Sequence, residues 1–264
     1  ACDHMDLGLS TMEIEMGPSQ FEFTFSPSTP TKQADRFVLF KTLVKEICGR
    51  HNLHATFMSK PNFPNAAANG WHIHQSIIDV KNGKNVFTPS SGQTLTPLAA
   101  NWIAGLLQHA SPACLLTTPT VNGYKRFQPF QLAPNNVNWG YDNRGAMIRA
   151  LVYEGETSSR IENRVAESAA NPYFALAGQI ACGLDGIVKK SFPPNRTMKP
   201  YEKTSNDLPR SLIEATNTFN NSSMFRRFFG QLFVDYMVTL KSAEWERYSM
   251  WVSDWEQIEY FNNY

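Results

Sequence analysis

Alternate residues of an extended strand share a face, and two short runs of this chain use that rule to gather chemistry. In Trp71-His72-Ile73-His74-Gln75-Ser76-Ile77, the residues His72, His74 and Ser76 fall together, opposite Trp71, Ile73 and Ile77. In Ser159-Arg160-Ile161-Glu162-Asn163-Arg164-Val165, the residues Arg160, Glu162 and Arg164 fall together, leaving Ile161 and Val165 for the core. One polar triad is most simply a solvated strand face, because half-buried antiparallel sheets alternate in this way. Two triads, with Glu15 and Glu22 flanking a Gly17-Pro18-Ser19 break, weaken that reading. Glu15, Glu22, Glu162 and His72 form an oxygen-rich ligand set with one imidazole, which suits Mg²⁺ or Mn²⁺ and argues against structural zinc. Arg126, Arg144, Arg149, Arg160 and Arg164 are the complementary half. Guanidinium groups hold carboxylate and phosphate bidentately, and phosphoryl transfer depends on positioning and on neutralising oxygen charge. No P-loop, kinase-type glycine loop or Rossmann glycine fingerprint occurs, so a nucleotide would need another architecture. Residue types alone leave open a metal-dependent phosphoryl-transfer site and a set of structural ion pairs.

The elements that would carry these residues can be read from periodicity. Residues 12–25 alternate on both sides of the Gly17-Pro18-Ser19 break and predict two strands joined by a turn. From Thr31 to about Cys48, Ala34, Phe37, Val38, Leu43, Val44 and Ile47 recur at helical spacing, and Gly49 is a stop. Leu53 to Met58 and Trp71 to Ile78 read as strands, with a loop over 62–70 and an Asn82-Gly83 turn. Thr96-Pro97 and Asn171-Pro172 each supply a cap followed by proline at the first helical position. The first helix is expected to end near Ala110 and the second to run through Ile187 with the Lys189-Lys190 pair near its end; residues 113–168 read as loops and strands. Helices are expected over Ser211 to Phe219 and within Met224 to Trp255. Strands and helices without regular alternation point to an α+β fold.

Composition limits the function classes. The 264 residues are 42% apolar and 18% charged, as expected of a globular chain. A net charge of +1 gives no general attraction for nucleic acid or an anionic membrane. Cys2, Cys48, Cys114 and Cys182 are dispersed, so reduced thiols in a cytoplasmic protein are the simplest reading. Leu95 to Leu116 is interrupted by Asn101, Gln108, His109, Ser111 and Pro112, too polar for a bilayer span. The opening Ala1-Cys2-Asp3-His4 lacks an initiator Met and the pattern of a signal peptide, and is expected to continue a longer chain. His54 and His109 read as partly buried or capping residues, Cys114 and Cys182 as core, and Arg226-Arg227 as a solvated stripe or subunit contact.

The ordered segments EMGPSQFE (15–22 within it), KPNFPNAAANGWHIHQS (60–76), NGYKRFQPFQLAP (122–134), NRGAMIRA (143–150) and RIENRVAESAANPYFALAGQIACGLDGI (160–187) resemble the glutamine synthetase family over nearly all 264 residues. The resemblance implies a curved antiparallel sheet that forms the active site and is backed by helices. It also implies ATP-dependent ligation, in which L-glutamate is phosphorylated to γ-glutamyl phosphate and an amine displaces the phosphate. By matched position, Glu15 and Glu22 are expected to ligate a first metal, and His72 and Glu162 a second, giving two or more Mg²⁺ or Mn²⁺ ions. Arg126 and Arg164 would hold glutamate and its reacting carboxyl. Arg144, Arg149 and Arg160 would contact ATP phosphates and the transferring group, with Arg144, Arg126 and Arg164 the catalytic arginines. His74 and Ser76 would approach the nucleotide. Assembly is expected as homo-oligomeric rings, hexameric or stacked as a dodecamer.

Two positions depart from the family pattern. Ammonia-using members carry a Glu six residues after the arginine of the YKR motif, and this chain has Leu132 there. With Trp71, Phe127, Phe130 and Trp139 in the same segments, that change predicts an amine larger and more apolar than ammonia, aniline-like or an alkylamine. Leu132 and Trp71 are therefore expected at the substrate; the aromatics also read separately as core residues. In the loop before His72, Ala66-Ala67-Ala68-Asn69-Gly70 replaces the family's Asn-Gly-Ser-Gly contact to glutamate. The family's N-terminal β-grasp domain and first metal-binding strand are not found before Ala1, so residues 1–264 are read as the catalytic domain alone. The competing readings are an ammonia-using glutamine synthetase, a non-catalytic structural protein of the same fold, and a related phosphoryl transfer of the guanidino-kinase kind.

Overall fold

Pro97 and Pro172 do open helices, and those two helices form the centre of the molecule. The structure, a computed structural model, describes residues 1–128, 133–202 and 206–264. Two strands, β1 (Leu9–Ile14) and β2 (Phe21–Phe25), form an antiparallel hairpin, followed by helix α1 (Pro30–Arg50). Strand β3 (Ile73–Gln75) precedes α2 (Pro97–Gln108) and α3 (Ala110–Thr117); β4 (Trp139–Tyr141), β5 (Ile148–Leu151) and β6 (Arg160–Asn163) lead into α4 (Pro172–Lys189). Four helices close the chain: α5 (Leu212–Asn220), α6 (Ser223–Phe229), α7 (Gln231–Ser249) and α8 (Asp254–Tyr260). This is the α+β class that the sequence predicts.

Each central helix begins as its cap dictates. The Thr96 hydroxyl accepts from the Ala99 amide at 3.1 Å, and the Asn171 side chain accepts from the amides of Tyr173 and Phe174. Helix α2 is buried continuously from Ala99 to Leu107 and crosses α4 at close range. Glycines permit that crossing: a Cβ on Gly105 would lie 2.1 Å from the Cys182 carbonyl, and one on Gly186 would lie 2.1 Å from the Asn101 carbonyl. Overpacking typically costs roughly 1–3 kcal/mol, and here the obstacle is backbone, which cannot step aside as a side chain can.

The second layer is a four-stranded sheet in the order β3-β6-β5-β4. β3–β6 and β5–β6 are antiparallel, but β4–β5 is parallel, so the sheet is mixed rather than purely antiparallel. One face is apolar: Ile148, Ala150, Ile161 and Val165 join Leu106, Leu115, Cys182, Leu212 and Phe219 in the main core. The other face carries the charged residues. The hairpin is fixed separately, through Phe23 and Phe25, whose rings meet Phe40 of α1 edge-on at 4.9 and 5.0 Å.

Four local expectations change. Leu53 to Met58 belongs to no strand, although its burial alternates, with Ala55 and Phe57 half-buried between exposed neighbours. The pattern is that of a strand; a ladder partner is lacking. Residues 110–117 form α3 rather than loop, because Pro112 falls in the first turn, where a helix has no acceptor for its missing N–H. In α1 the inward stripe includes Arg36 and Phe40 while Val38 is exposed, and the Trp71–Ile78 strand shrinks to Ile73–Gln75.

Candidate active site

Register assembles the polar residues. In the β3–β6 pair His74 stands opposite Glu162, and in the β5–β6 pair Arg149 stands opposite Glu162 from the other side. Cross-strand partners on one face approach to about 5 Å, so three strands place an imidazole, a carboxylate and a guanidinium in one line. Arg149 Nη1 donates to Glu162 Oε2 at 3.1 Å, and Arg164 Nη1 donates to Oε1. His72 Nδ1 lies 3.2 Å from the same Oε1, and Arg160 Nε donates to His74 Nδ1 at 3.1 Å. Both sequence triads therefore share this face, with Arg149 added by register. Ser76 lies just beyond β3 and is exposed.

Electrostatics follow from the geometry. Burial alone would raise the Glu162 carboxyl, but the His72 bond and the Arg164 charge hold it far below the usual range, as an anion. Desolvation lowers His72, assisted by Arg164 and Arg126 and opposed by its bond to Glu162. Desolvation, with Arg160 adding repulsion, holds His74 at about 4. Both imidazoles are thus neutral near pH 7. A neutral imidazole keeps one ring-nitrogen lone pair available to a ligand.

Arg126 closes one end of this face from the 3-10 turn Gly123–Arg126. Its Nη1 donates to the carbonyls of Val165 and Ala166 at 2.9 and 3.1 Å. Gly70 lies against it: a Cβ there would be 2.8 Å from Arg126 Nη2 and 3.1 Å from His72 Nε2, so any side chain would close that space. Behind Arg126 is Glu167, fully buried, which accepts from Ser59, from the Thr120 amide at 2.9 Å and from the Thr120 hydroxyl at 2.8 Å. Burial nevertheless raises its carboxyl. The sequence reading missed Glu167; an acid inside an otherwise apolar run, Val165-Ala166-Glu167, was the available signal.

The hairpin supplies the remaining acids. With Phe23 and Phe25 turned to α1, Glu22 faces the other way, directly opposite Glu13. Glu22 is raised by desolvation, by a side-chain bond with Glu15, and by the charges of Glu15, Glu13 and Glu162. Like charges opposed across strands are unfavourable, and a divalent cation would relieve them. Hard carboxylate oxygens at Glu15 and Glu22, and the Glu162 carboxylate with the neutral His72 imidazole next to it, fit the two expected metal pairs in donor chemistry. Among the described residues no three His, Cys, Asp or Glu side chains converge into a ready-made cage, so each pair would need additional ligands. Glu13 was not singled out from sequence, though its spacing of two from Glu15 places both on one strand face.

Arg144 stands apart from this line. With Asp142 and Arg149 it lines an open cavity of 490 Å³, and the Arg149–Asp142 ion pair links the cavity to Glu162. Each aromatic expected near the amine that the structure describes also makes a packing contact. Trp71 stacks on Phe37 with ring centroids 4.3 Å apart, Trp139 is in the main core, and Phe127 packs against that core. Leu132 and Phe130 lie outside the described residues. Asn69 is occupied with Gln20 at 2.7 Å and the Met58 carbonyl at 2.6 Å, tying the hairpin turn to the loop before His72. His109 and Arg227 both bind Asp185 rather than the cleft.

An α+β domain whose sheet presents carboxylates, neutral imidazoles and guanidiniums on one face defines a class built to hold cations and polyanions together. The family profile described as "Glutamine synthetase, catalytic domain" matches residues 1–260, and the chain belongs to that family. It is 42% identical to a gamma-glutamylanilide synthase of Acinetobacter sp over 271 residues, covering 98% of this chain and 54% of the relative. It is 37% identical to a glutamine synthetase of Thermococcus kodakarensis, covering 98% of this chain and 61% of that relative. Among solved structures, one described as "Apo GmaS without ligand" superimposes with a TM-score of 0.88 at 30% identity, covering 99% of this chain and 61% of that one. The chain thus spans between half and two thirds of these relatives' lengths.

Proposed function

We propose that the protein carrying this chain is an ATP-dependent ligase that joins the γ-carboxylate of L-glutamate to an amine. The observation that carries the proposal is the Arg149–Glu162–His72/His74 line with Arg164 and Arg126 at its end, in a member of this family. A glutamate carboxylate oxygen attacks the terminal phosphorus of ATP, ADP leaves, and γ-glutamyl phosphate results. The amine nitrogen then attacks the acyl carbon, phosphate leaves, and the nitrogen loses a proton. In this reading Arg126 and Arg164 hold glutamate, Arg144 meets the transferring phosphoryl group, and Arg149 and Arg160 face the phosphates with His74 and Ser76 on the nucleotide side. Glu162 fixes three of these cationic or imidazole groups in place, so little reorganisation is needed as charge develops. Glu15 with Glu22, and His72 with Glu162, would hold Mg²⁺ or Mn²⁺, which when bound neutralises phosphate oxygen charge.

The amine we infer is aniline-like or an alkylamine rather than ammonia. Leu132 offers no carboxylate to an ammonium ion, and the similarity to a gamma-glutamylanilide synthase supports the same direction. Homo-oligomeric assembly and a cytoplasmic location belong to this proposal; among the described residues no helix is long and apolar enough to cross a membrane. The test is ADP release by the full-length protein with Mg²⁺, ATP and glutamate, with aniline, ethylamine or ammonia supplied in turn. Stimulation by a bulky amine well above ammonia is expected. Stimulation by ammonia alone would assign a glutamine synthetase, and nucleotide binding without turnover a structural relative.

A further inference from the structure

The cavity lined by Arg144 and Arg149 also draws on the segment that follows α4. Arg196 and Thr197 line it, and the Arg196 guanidinium lies over the Tyr141 ring at 5.2 Å. That placement is built rather than accidental. Trp139 Nε1 donates to the Pro194 carbonyl at 2.7 Å, and the Thr197 amide donates to the Trp139 carbonyl at 2.8 Å, so β4 grips the segment on both sides of Arg196. Further along, the Pro200 carbonyl accepts from Asn136 and Asn138 at 2.8 and 2.9 Å. The ring beneath Arg196 is fixed too: Tyr141 meets Trp139 edge-on at 5.3 Å, and its hydroxyl donates to the Thr94 carbonyl at 3.2 Å.

The cavity is cationic beyond its own needs. Arg144, Arg149 and Arg196 supply three positive charges, and Asp142, the single carboxylate of the lining, is paired with Arg149, leaving two in excess. Among the described residues neither Arg144 nor Arg196 has a carboxylate within ion-pair distance. A guanidinium stacked on a ring keeps its edge donors free for an anion, and three of them around one open space suit a group with several negative charges.

We propose that Arg196 is a binding residue for the polyphosphate of the nucleotide, acting with Arg144 and Arg149 around the same cavity. This rests on the ligase reading for the identity of the anion, and it adds a residue to that site. Arg196 is held on the Tyr141 ring rather than by Glu162, so it would bind ground state and transition state alike, and its loss raises KM for ATP more than it lowers kcat.

The experiment is calorimetric titration of Mg²⁺ and ADP into the full-length protein and into R196Q and R196K, with initial rates measured on the same samples. Loss of one charge-assisted contact predicts ADP binding weaker by about tenfold in R196Q, partly restored in R196K, with KM for ATP raised to match and KM for glutamate unchanged. Unchanged ADP affinity in R196Q overturns the proposal, as does a wild-type protein that binds no ADP. The two readings separate cleanly. If R196Q loses ADP affinity while the wild type makes no amide from any amine, Arg196 stands and the ligase reading falls. If the wild type makes amide while R196Q binds ADP normally, the reverse holds.

Discussion

Two carboxylates in this molecule have nearly the same surroundings. Glu162 is 1% exposed and is met by Arg149, Arg164 and His72; Asp185 is 2% exposed and is met by Lys189, Arg227 and His109. Each has two cations and an imidazole. The difference lies in where the partners end. Around Glu162 they come from β5 and from the residues that directly flank β3 and β6, with side chains 5% exposed at Arg164 and 15% at Arg149, and Arg149 reaches the 490 Å³ cavity. Around Asp185 they come from α4, from the α2–α3 junction and from α6, with Lys189 45% and Arg227 60% exposed to solvent. An acid ringed by cations is therefore not itself a sign of chemistry. It becomes one where sheet geometry turns the unused donors toward a shared cavity.

The largest expected effect separates these two centres. Glu162→Gln releases Arg149, Arg164 and His72 together and should lower kcat for amide synthesis by roughly a hundredfold to a thousandfold. Asp185→Asn should leave kcat per folded molecule unchanged. If D185N loses as much activity as E162Q, the comparison fails.

Stability should show the opposite emphasis. D185N leaves His109 and two cations facing a neutral group and should cost about 3 kcal/mol in urea unfolding, as for a broken buried ion pair. The pH dependence sharpens this. Burial alone would raise Asp185, but the bonds from Lys189 and His109 hold it below its ordinary value of 3.8. A depressed folded pKa adds stability that is present above the unfolded value and lost as pH falls through the folded one. The gap between wild type and D185N should stay constant from neutral pH down to about the ordinary value and shrink below it; a gap that grows on acidification would contradict the network. The smallest effect is expected at the exposed end. Arg227→Ala should cost less than about 1 kcal/mol, because a solvated guanidinium exchanges its partner for water at little net loss.

What could be read from the chain follows the range of the signals. The grouping of His72, His74, Arg160, Glu162 and Arg164 was legible because strand alternation is a local rule. Helix starts at Thr96 and Asn171 were legible because caps act within four residues. The stretch Leu53 to Met58 misled because alternation states which side faces in, not whether a partner strand is present. Glu167 was illegible because its partners, Ser59 and Thr120, lie 108 and 47 residues away. Arg196 was passed over for the same reason: its significance comes from Tyr141, Trp139 and a cavity assembled from separate segments.

The sequence by itself determined which residue types could do chemistry, which of them share a strand face, where the main helices begin and which family the chain resembles. Tertiary structure decided that Arg149 completes the Glu162 line and that Asp185, with similar neighbours, does not form a second site. It also decided that Trp71 is used in packing on Phe37, and that three arginines surround one cavity. The physical reason is that alternation and capping are fixed by backbone geometry within a few residues. Register, burial and electrostatic partnership arise only when segments far apart in the chain are brought within a few ångströms of one another.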